Sequence, residues 1–456
     1  MPLHLASNDD FQIVRQLLLD TGFREQPVAE RLQAGSPESK DALGLLIDLF
    51  ARAQPVETTV AAAVFGDRAL ASFQALGLLG SAGASLKATC LLYPFEDLWI
   101  ASDFPGNARE DFVFPALSTQ SRQFHAILPD TPCEALLDIG AGAAAASLAA
   151  AKDYAATVYA SDISKRCVLF AEFNRRLNDV TNAEIVRSDV YDALGSQTFD
   201  RIIAHPPYIP TLGNQESYRH GGPHGEDILR RILEGFAKHL RPGGRAYLST
   251  LACDQADAPL EQRLYEMIGS EEFRLLVAEW ESLPAVEFVL RLVEVGELDF
   301  NQGARQARSF RDAGVTQLVR CAVVVVRETG HGPSIMRRIM GQAAGAVELD
   351  AAFEPAPEIA DLLEQRLILS PWTTLESTAA VSENRWRSFT RVLDCQHPFH
   401  FRTDCPEWAA EALARLDGSI TLRQALGDSD FDEAEIFFEC LVNAGALTLA
   451  ASARPA

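Results

Sequence analysis

The chain has no run of about 18 uninterrupted apolar residues, so no membrane-spanning helix is expected. Its start, Met1-Pro2-Leu3-His4, lacks the basic stretch and apolar run of a signal peptide, which points to the cytoplasm. No Cys-x-x-Cys pair occurs, and the eight cysteines scattered through 456 residues read as reduced, mostly buried thiols. Four metal-capable side chains do lie close in sequence: Cys395, His397, His400 and Cys405. The segments around Pro398 read as ordinary strands and the spacing matches no zinc module, so no metal is expected. Positive charge is scarce: 40 Lys and Arg face 63 Asp and Glu, for a net charge of -23 and a pI of about 4.8. Such a surface repels phosphate backbones at long range and disfavours a nucleic-acid partner.

What is present is globular, with 48% hydrophobic and 23% charged residues. The length suggests two or three domains, and three segments are expected: 1–110, 111–330 and 331–456. The first has short amphipathic stretches, such as Phe11 to Leu19 and Val56 to Phe65. A helix start is read at Ser36 to Ser39, and strands at Thr89 to Tyr93 and Asp97 to Ser102. Helices followed by a hairpin resemble a winged-helix module, here without a basic stripe and so read as a docking unit. The third segment opens with Gly330, Gly332 and Pro333, then a short basic helix carrying Arg337 and Arg338. It ends in two helices and a strand, Leu422 to Leu426, Asp432 to Ala444 and Leu447 to Leu449, which is again winged-helix-like.

The middle segment alternates apolar strands and helices, the pattern of an open, mostly parallel sheet covered on both faces. Residues 284–316 interrupt its last hairpin and read as an insertion able to cover the site. In Asp138-Ile139-Gly140-Ala141-Gly142-Ala143-Ala144, a strand ends in two glycines before an Ala-rich helix. The glycines permit a tight turn and close approach of a ligand to the backbone. Asp162-Ile163 ends the next strand about 20 residues on, where a carboxylate can chelate ribose hydroxyls. Asp189-Val190 ends the third strand, where the acid can accept a bond from an adenine amine. The fourth strand ends in His205-Pro206-Pro207-Tyr208.

These residues together resemble a class I S-adenosylmethionine-dependent methyltransferase of the small-domain group. Members of that group carry Asn-Pro-Pro-Tyr after the fourth strand. The pattern is nearest to enzymes that methylate the glutamine amide of translation release factors, with adenine and guanine amine methyltransferases close by. Tyr218 to Ile228, containing Gly221, Gly222 and Gly225, resembles the glycine stretch that follows the motif in the glutamine enzymes, and Asn174 suits the second helix. The resemblance implies an α/β fold: a Rossmann-like seven-stranded methyltransferase sheet flanked by small helical, winged-helix-like N- and C-terminal domains. It implies S-adenosylmethionine held by Asp138, Gly140, Gly142, Asp162, Ile163, Asp189, Val190 and His205. His205, Pro206, Pro207 and Tyr208 would then position the acceptor.

Two departures stand out: Ala144 replaces the loop's third glycine, and His205 replaces the motif's Asn. An imidazole can accept an N–H bond or act as a base. The leading expectation is therefore methylation of a nitrogen on a protein or small molecule. RNA or DNA amine methylation, and O-methylation with His205 as base, are the alternatives. His220 and His224 read as solvated loop residues.

Overall fold

The computed structural model describes residues 3–34, 41–106, 109–212, 219–328, 330, 334–354, 361–382, 385–427 and 431–450. The helix start read at Ser36 to Ser39, and Tyr218, Gly332 and Pro333, lie outside them. Two compact units emerge: residues 1–275 with 281–335, and residues 276–280 with 336–456.

The first unit holds an open α/β sheet. Its strands are β1 (Cys133–Ile139), β2 (Ala155–Asp162), β3 (Ala183–Arg187), β4 (Phe199–Ala204), β5 (Leu240–Gln255), β6 (Phe273–Pro284) and β7 (Val315–Arg327). Helices α1 (Thr119–Ala126), α2 (Ala145–Asp153), α3 (Lys165–Leu177), α4 (Asp227–Glu234), α5 (Leu260–Ile268), α6 (Ala285–Glu294) and α7 (Phe300–Asp312) accompany them. The strand order is β3-β2-β1-β4-β5-β7-β6. β1, β2, β3, β4 and β5 run parallel, whereas β7 is antiparallel to β5. Leu136 and Leu137 of β1, Ile202 and Ile203 of β4, and Val323 to Val325 of β7 are fully buried, as expected of strands covered on both faces.

The chain leaves β1 towards β2 and β3 on one side, then returns to place β4 on the other. Ligands of such sheets bind where the order reverses, outside the carboxyl ends of the strands. Ile139 pairs with Ala204 across that divide, so the glycine loop and His205 start side by side.

The N-terminal region lies in this same compact unit. Two asparagines one turn apart, Asn174 on α3 and Asn178 at its C-cap, explain the attachment. Asn174 exchanges backbone bonds with Ala101 (2.8 and 3.0 Å), and Asn178 does the same with Trp99 (2.8 and 2.8 Å). The side chains thus act as a neighbouring strand for Leu98–Ser102, which forms a hairpin with Leu91–Phe95. An additional hairpin pairs Leu79–Ala82 with Ser85–Ala88. Its strands are poor in large apolar residues, and Gly83 at φ +65 makes its turn.

In the second unit the expected basic helix at Arg337 and Arg338 is a strand, Ser334–Met340. Isoleucines and methionines interleave with the arginines, and Arg337 reaches Glu279 at 2.9 Å. A three-stranded sheet orders Asp417–Thr421, Arg366–Leu369 and Leu447–Leu449, with helices Leu422–Leu426 and Phe431–Asn443. Among the described residues no helix is long and apolar enough to cross a membrane.

Candidate active site

The donor half is built from backbone. Gly140 and Gly142 adopt φ of +75 and +56, and a Cβ on either would meet nothing within 4 Å, so both border open space. The amides of Gly140 and Ala141 both donate to the Ser161 carbonyl (2.8 and 2.9 Å), tying the loop to the end of β2. Asp162 follows directly. One carboxylate oxygen accepts from the Gly142 amide (2.9 Å) and the other from Ser164 (2.8 Å). Burial raises its pKa against the opposing pull of those amides. Beside it Ile163 leaves 52% of its surface exposed, an apolar platform with no protein cover. An aimed carboxylate, an exposed aliphatic face and open backbone turns fit the ribose, the flat base and the chain of S-adenosylmethionine.

Two expected cofactor residues sit differently. Asp138 is 2% exposed and accepts a short hydrogen bond from the Ser147 hydroxyl, and burial pushes its pKa up to about 7. It lies under the loop as a support. Asp189 is ion-paired with Arg231 of α4 at 2.9 Å. The adjacent Val190 is left-handed at φ +50, a conformation costing a β-branched residue on the order of 1–3 kcal/mol. The Ser188 hydroxyl donates to the Val190 carbonyl at 3.0 Å and holds this turn.

The acceptor half is built from side chains. His205 lies against Phe124 of α1 (ring centroids 5.3 Å apart) and is stacked with Tyr208 at 5.6 Å and 24°. Among the described residues nothing hydrogen-bonds the imidazole. Burial, reinforced by the Arg320 guanidinium, pulls its pKa down to about 4, so the ring is neutral at ordinary pH. Arg320 stands on β7, and its contact is a neutral amide, Gln123 Oε1 at 3.3 Å.

The segment after the motif folds back on it. The Ile209 amide donates to the Arg219 carbonyl (2.8 Å), the Gly221 amide donates to the Ile209 carbonyl (3.1 Å), and the Asp227 amide donates to the Gly221 carbonyl at 2.9 Å. His220 Nδ1 makes a short contact with the Thr211 hydroxyl. A Cβ on Gly225 would overlap the Tyr208 carbonyl, and one on Gly222 the Asp227 carboxylate, so only glycine fits either position. Glu226, buried, accepts from the Cys253 amide (2.7 Å) and pairs with Arg263 of α5. Helix α7 closes over this segment: Gln306 Nε2 donates to the Pro223 carbonyl at 2.9 Å, and Ser309 lies 3.5 Å from His224 Nε2.

Sequence reasoning missed Gln123, Phe124, Arg320 and Arg263, which lie far from any motif in the chain, and it gave no role to Glu226 inside the stretch Tyr218 to Ile228. The Cys395, His397, His400 and Cys405 side chains have separate partners. Cys395 Sγ contacts the His397 carbonyl, His397 Nδ1 the Gln342 carbonyl, His400 Nε2 Asp394, and Cys405 Sγ the Pro406 carbonyl. Among the described residues no group of three such side chains converges as a metal site.

The profile of the methyltransferase small domain matches residues 115–272. A release factor glutamine methyltransferase of Gloeobacter violaceus is 32% identical over 26% of this chain and 46% of its own length. One from Moorella thermoacetica is 36% identical over 28% and 50%. A ribosomal protein uL3 glutamine methyltransferase of Bradyrhizobium diazoefficiens is 32% identical over 25% and 40%. The chain thus spans about half the length of the curated relatives it matches. A crystal structure of a methyltransferase from Pyrococcus furiosus aligns with a TM-score of 0.31 at 19% identity, covering 50% of this chain and 89% of that one. The match to the methyltransferase small domain thus lies in residues 115–272, and the relatives matched by sequence are glutamine methyltransferases.

Proposed function

We propose that the chain methylates a planar side-chain nitrogen of a protein, a glutamine amide in the simplest case, in the cytoplasm where its thiols stay reduced. The carrying observation is His205-Pro206-Pro207-Tyr208 at the carboxyl end of β4, beside the glycine loop. Prolines 206 and 207 have no N–H, so the backbone there offers only carbonyl acceptors. The neutral imidazole offers another acceptor. An NH2 group has two hydrogens to satisfy such a pair, whereas a hydroxyl has one. Phe124 and Tyr208 flank His205 with flat surfaces that suit a planar amide.

S-adenosylmethionine, when bound, supplies an electrophilic methyl carbon on a cationic sulfur. His205 and the carbonyls beside it orient the nitrogen lone pair towards that carbon, and Tyr208 and α7 exclude water. That nitrogen would take up the methyl of the bound donor, the C–S electron pair staying on sulfur as a neutral thioether, and the surplus proton of the nitrogen would pass to solvent. In this reading β1 to β7 are the strands of a seven-stranded methyltransferase sheet. The small N- and C-terminal sheets with their helices are winged-helix-like substrate docks.

Tritiated S-adenosylmethionine incubated with bacterial extract should label material that survives nuclease and disappears with protease. Mass spectrometry should find a single added methyl on glutamine. Nuclease-sensitive label would overturn the protein reading. A histidine neutral above about pH 4 makes turnover flat between pH 6 and 8. His205→Asn should retain turnover within about tenfold. If His205 were a general base, that variant would lose on the order of 10²–10⁴-fold, and the wild-type rate would rise with pH.

A further inference from the structure

Helix α7 carries Arg305, Arg308 and Arg311 in a protein of net charge -23. Among the described residues none of the three is within ion-pair distance of an acid. Elsewhere in this unit arginines are matched: Arg263 with Glu226, Arg231 with Asp189, Arg166 with Asp103 and Arg219 with Glu297. Arg311 has a structural role available, since it offsets the carbonyl end of the helix dipole. Arg305 and Arg308 do not. With His224, Ser309, Asp312 and Ala313 they line a groove of about 480 Å³.

The groove adjoins the acceptor motif. His224 precedes Gly225, whose backbone abuts the Tyr208 carbonyl, and Gln306 pins the same helix to Pro223. We propose that this groove binds carboxylates of an acidic stretch flanking the methylated side chain of a protein substrate. The proposal rests on the protein reading given above. Two guanidinium groups form charge-assisted, bidentate bonds to carboxylates, and Ser309 and His224 add polar contacts. Asp312 also lines the groove, one turn beyond Arg308, and limits how much negative charge enters at that end. A peptide suits this surface better than RNA. The same helical pair and its connection expose Val286, Leu290, Val295 (70%) and Phe300 (80%), apolar groups that a phosphate backbone leaves uncovered.

The test uses the full chain and a fluorescent decapeptide with one glutamine flanked by glutamates. An isosteric all-glutamine peptide and a single-stranded RNA decamer serve as comparisons. The acidic peptide should bind in a salt-sensitive manner and lose at least about tenfold in affinity in the double variant Arg305→Glu, Arg308→Glu. S-adenosylmethionine affinity and melting temperature should stay unchanged in that variant, which controls for folding. Equal binding of acidic and neutral peptides would overturn the proposal, as would unaltered acidic-peptide binding in the variant. Tighter binding of the RNA, abolished by the same variant, would transfer the groove to a nucleic acid. Each of these failures leaves the labelling and His205 experiments standing, so failure here is distinguishable from failure of the proposed function.

Discussion

In the proposed reading the donor and acceptor halves of this site are made by different means. The donor half is three strand ends and their turns: the glycine loop after β1, Asp162 after β2 and Val190 after β3, held largely by backbone bonds. The acceptor half draws Phe124 from α1, Arg320 from β7, Arg263 from α5 and a cover from α7 onto the motif that ends β4. Backbone turns hold a cofactor whatever decorates them. A pocket assembled from distant side chains can change its acceptor without disturbing the donor end.

That contrast can be broken most severely at Glu226 and Arg263, whose side chains are only 7% and 10% exposed. Arg263→Ala leaves a buried carboxylate unpaired and should cost about 3–5 kcal/mol, read from denaturant unfolding. Some of the same acceptor bonds go with it, since Arg263 also reaches the Cys253 carbonyl at 2.5 Å. A loss below about 1 kcal/mol would mean that this half is not held by the pair. On the donor side Asp162→Ala removes the acceptor of two backbone amides and, in the proposed reading, of the ribose. At about 1.5–3 kcal/mol for each bond to a charged group, S-adenosylmethionine affinity should drop at least tenfold by calorimetry. An unchanged Kd in a folded variant would reject Asp162 as the ribose ligand. The smallest effect sharpens the backbone side. Ala144 sits at φ +61, and Ala144→Gly should gain roughly 0.5–1 kcal/mol as left-handed strain is relieved, partly offset by the extra freedom of the unfolded chain. A destabilised glycine variant would show that the Ala144 methyl, fully buried, contributes more by packing than it costs in strain.

Legibility followed the same line. The meeting of Gly140, Gly142 and Asp162 was readable because it is local: a turn at a strand end, and a carboxylate about 20 residues on that reaches it through adjacent parallel strands. The motif at 205–208 was readable for the same reason. Asp138 and Asp189 were read as facing the cofactor, and the fold gives each a prior partner, Ser147 below the loop and Arg231 from α4. The strand at Ser334–Met340 was misread because two adjacent arginines look like a polar helix face until a strand partner is in place. The residue Asn174 was noted as fitting its helix, but its bonds to Ala101 and to the Ala143 carbonyl of the glycine loop could not be read from spacing.

Apolar runs, glycine positions and the acids at strand ends by themselves determined the parallel strands and the reversal point with its open glycine loop, because they act through backbone geometry over short stretches of chain. Only the tertiary structure decided that His205 is neutral. Its environment is set by burial against Phe124 and by a guanidinium 115 positions along the chain at Arg320. Only the tertiary structure, likewise, turned two exposed arginines of α7 into the wall of a groove beside the acceptor. Desolvation and charge act through space, and one-dimensional order carries no record of which surfaces meet.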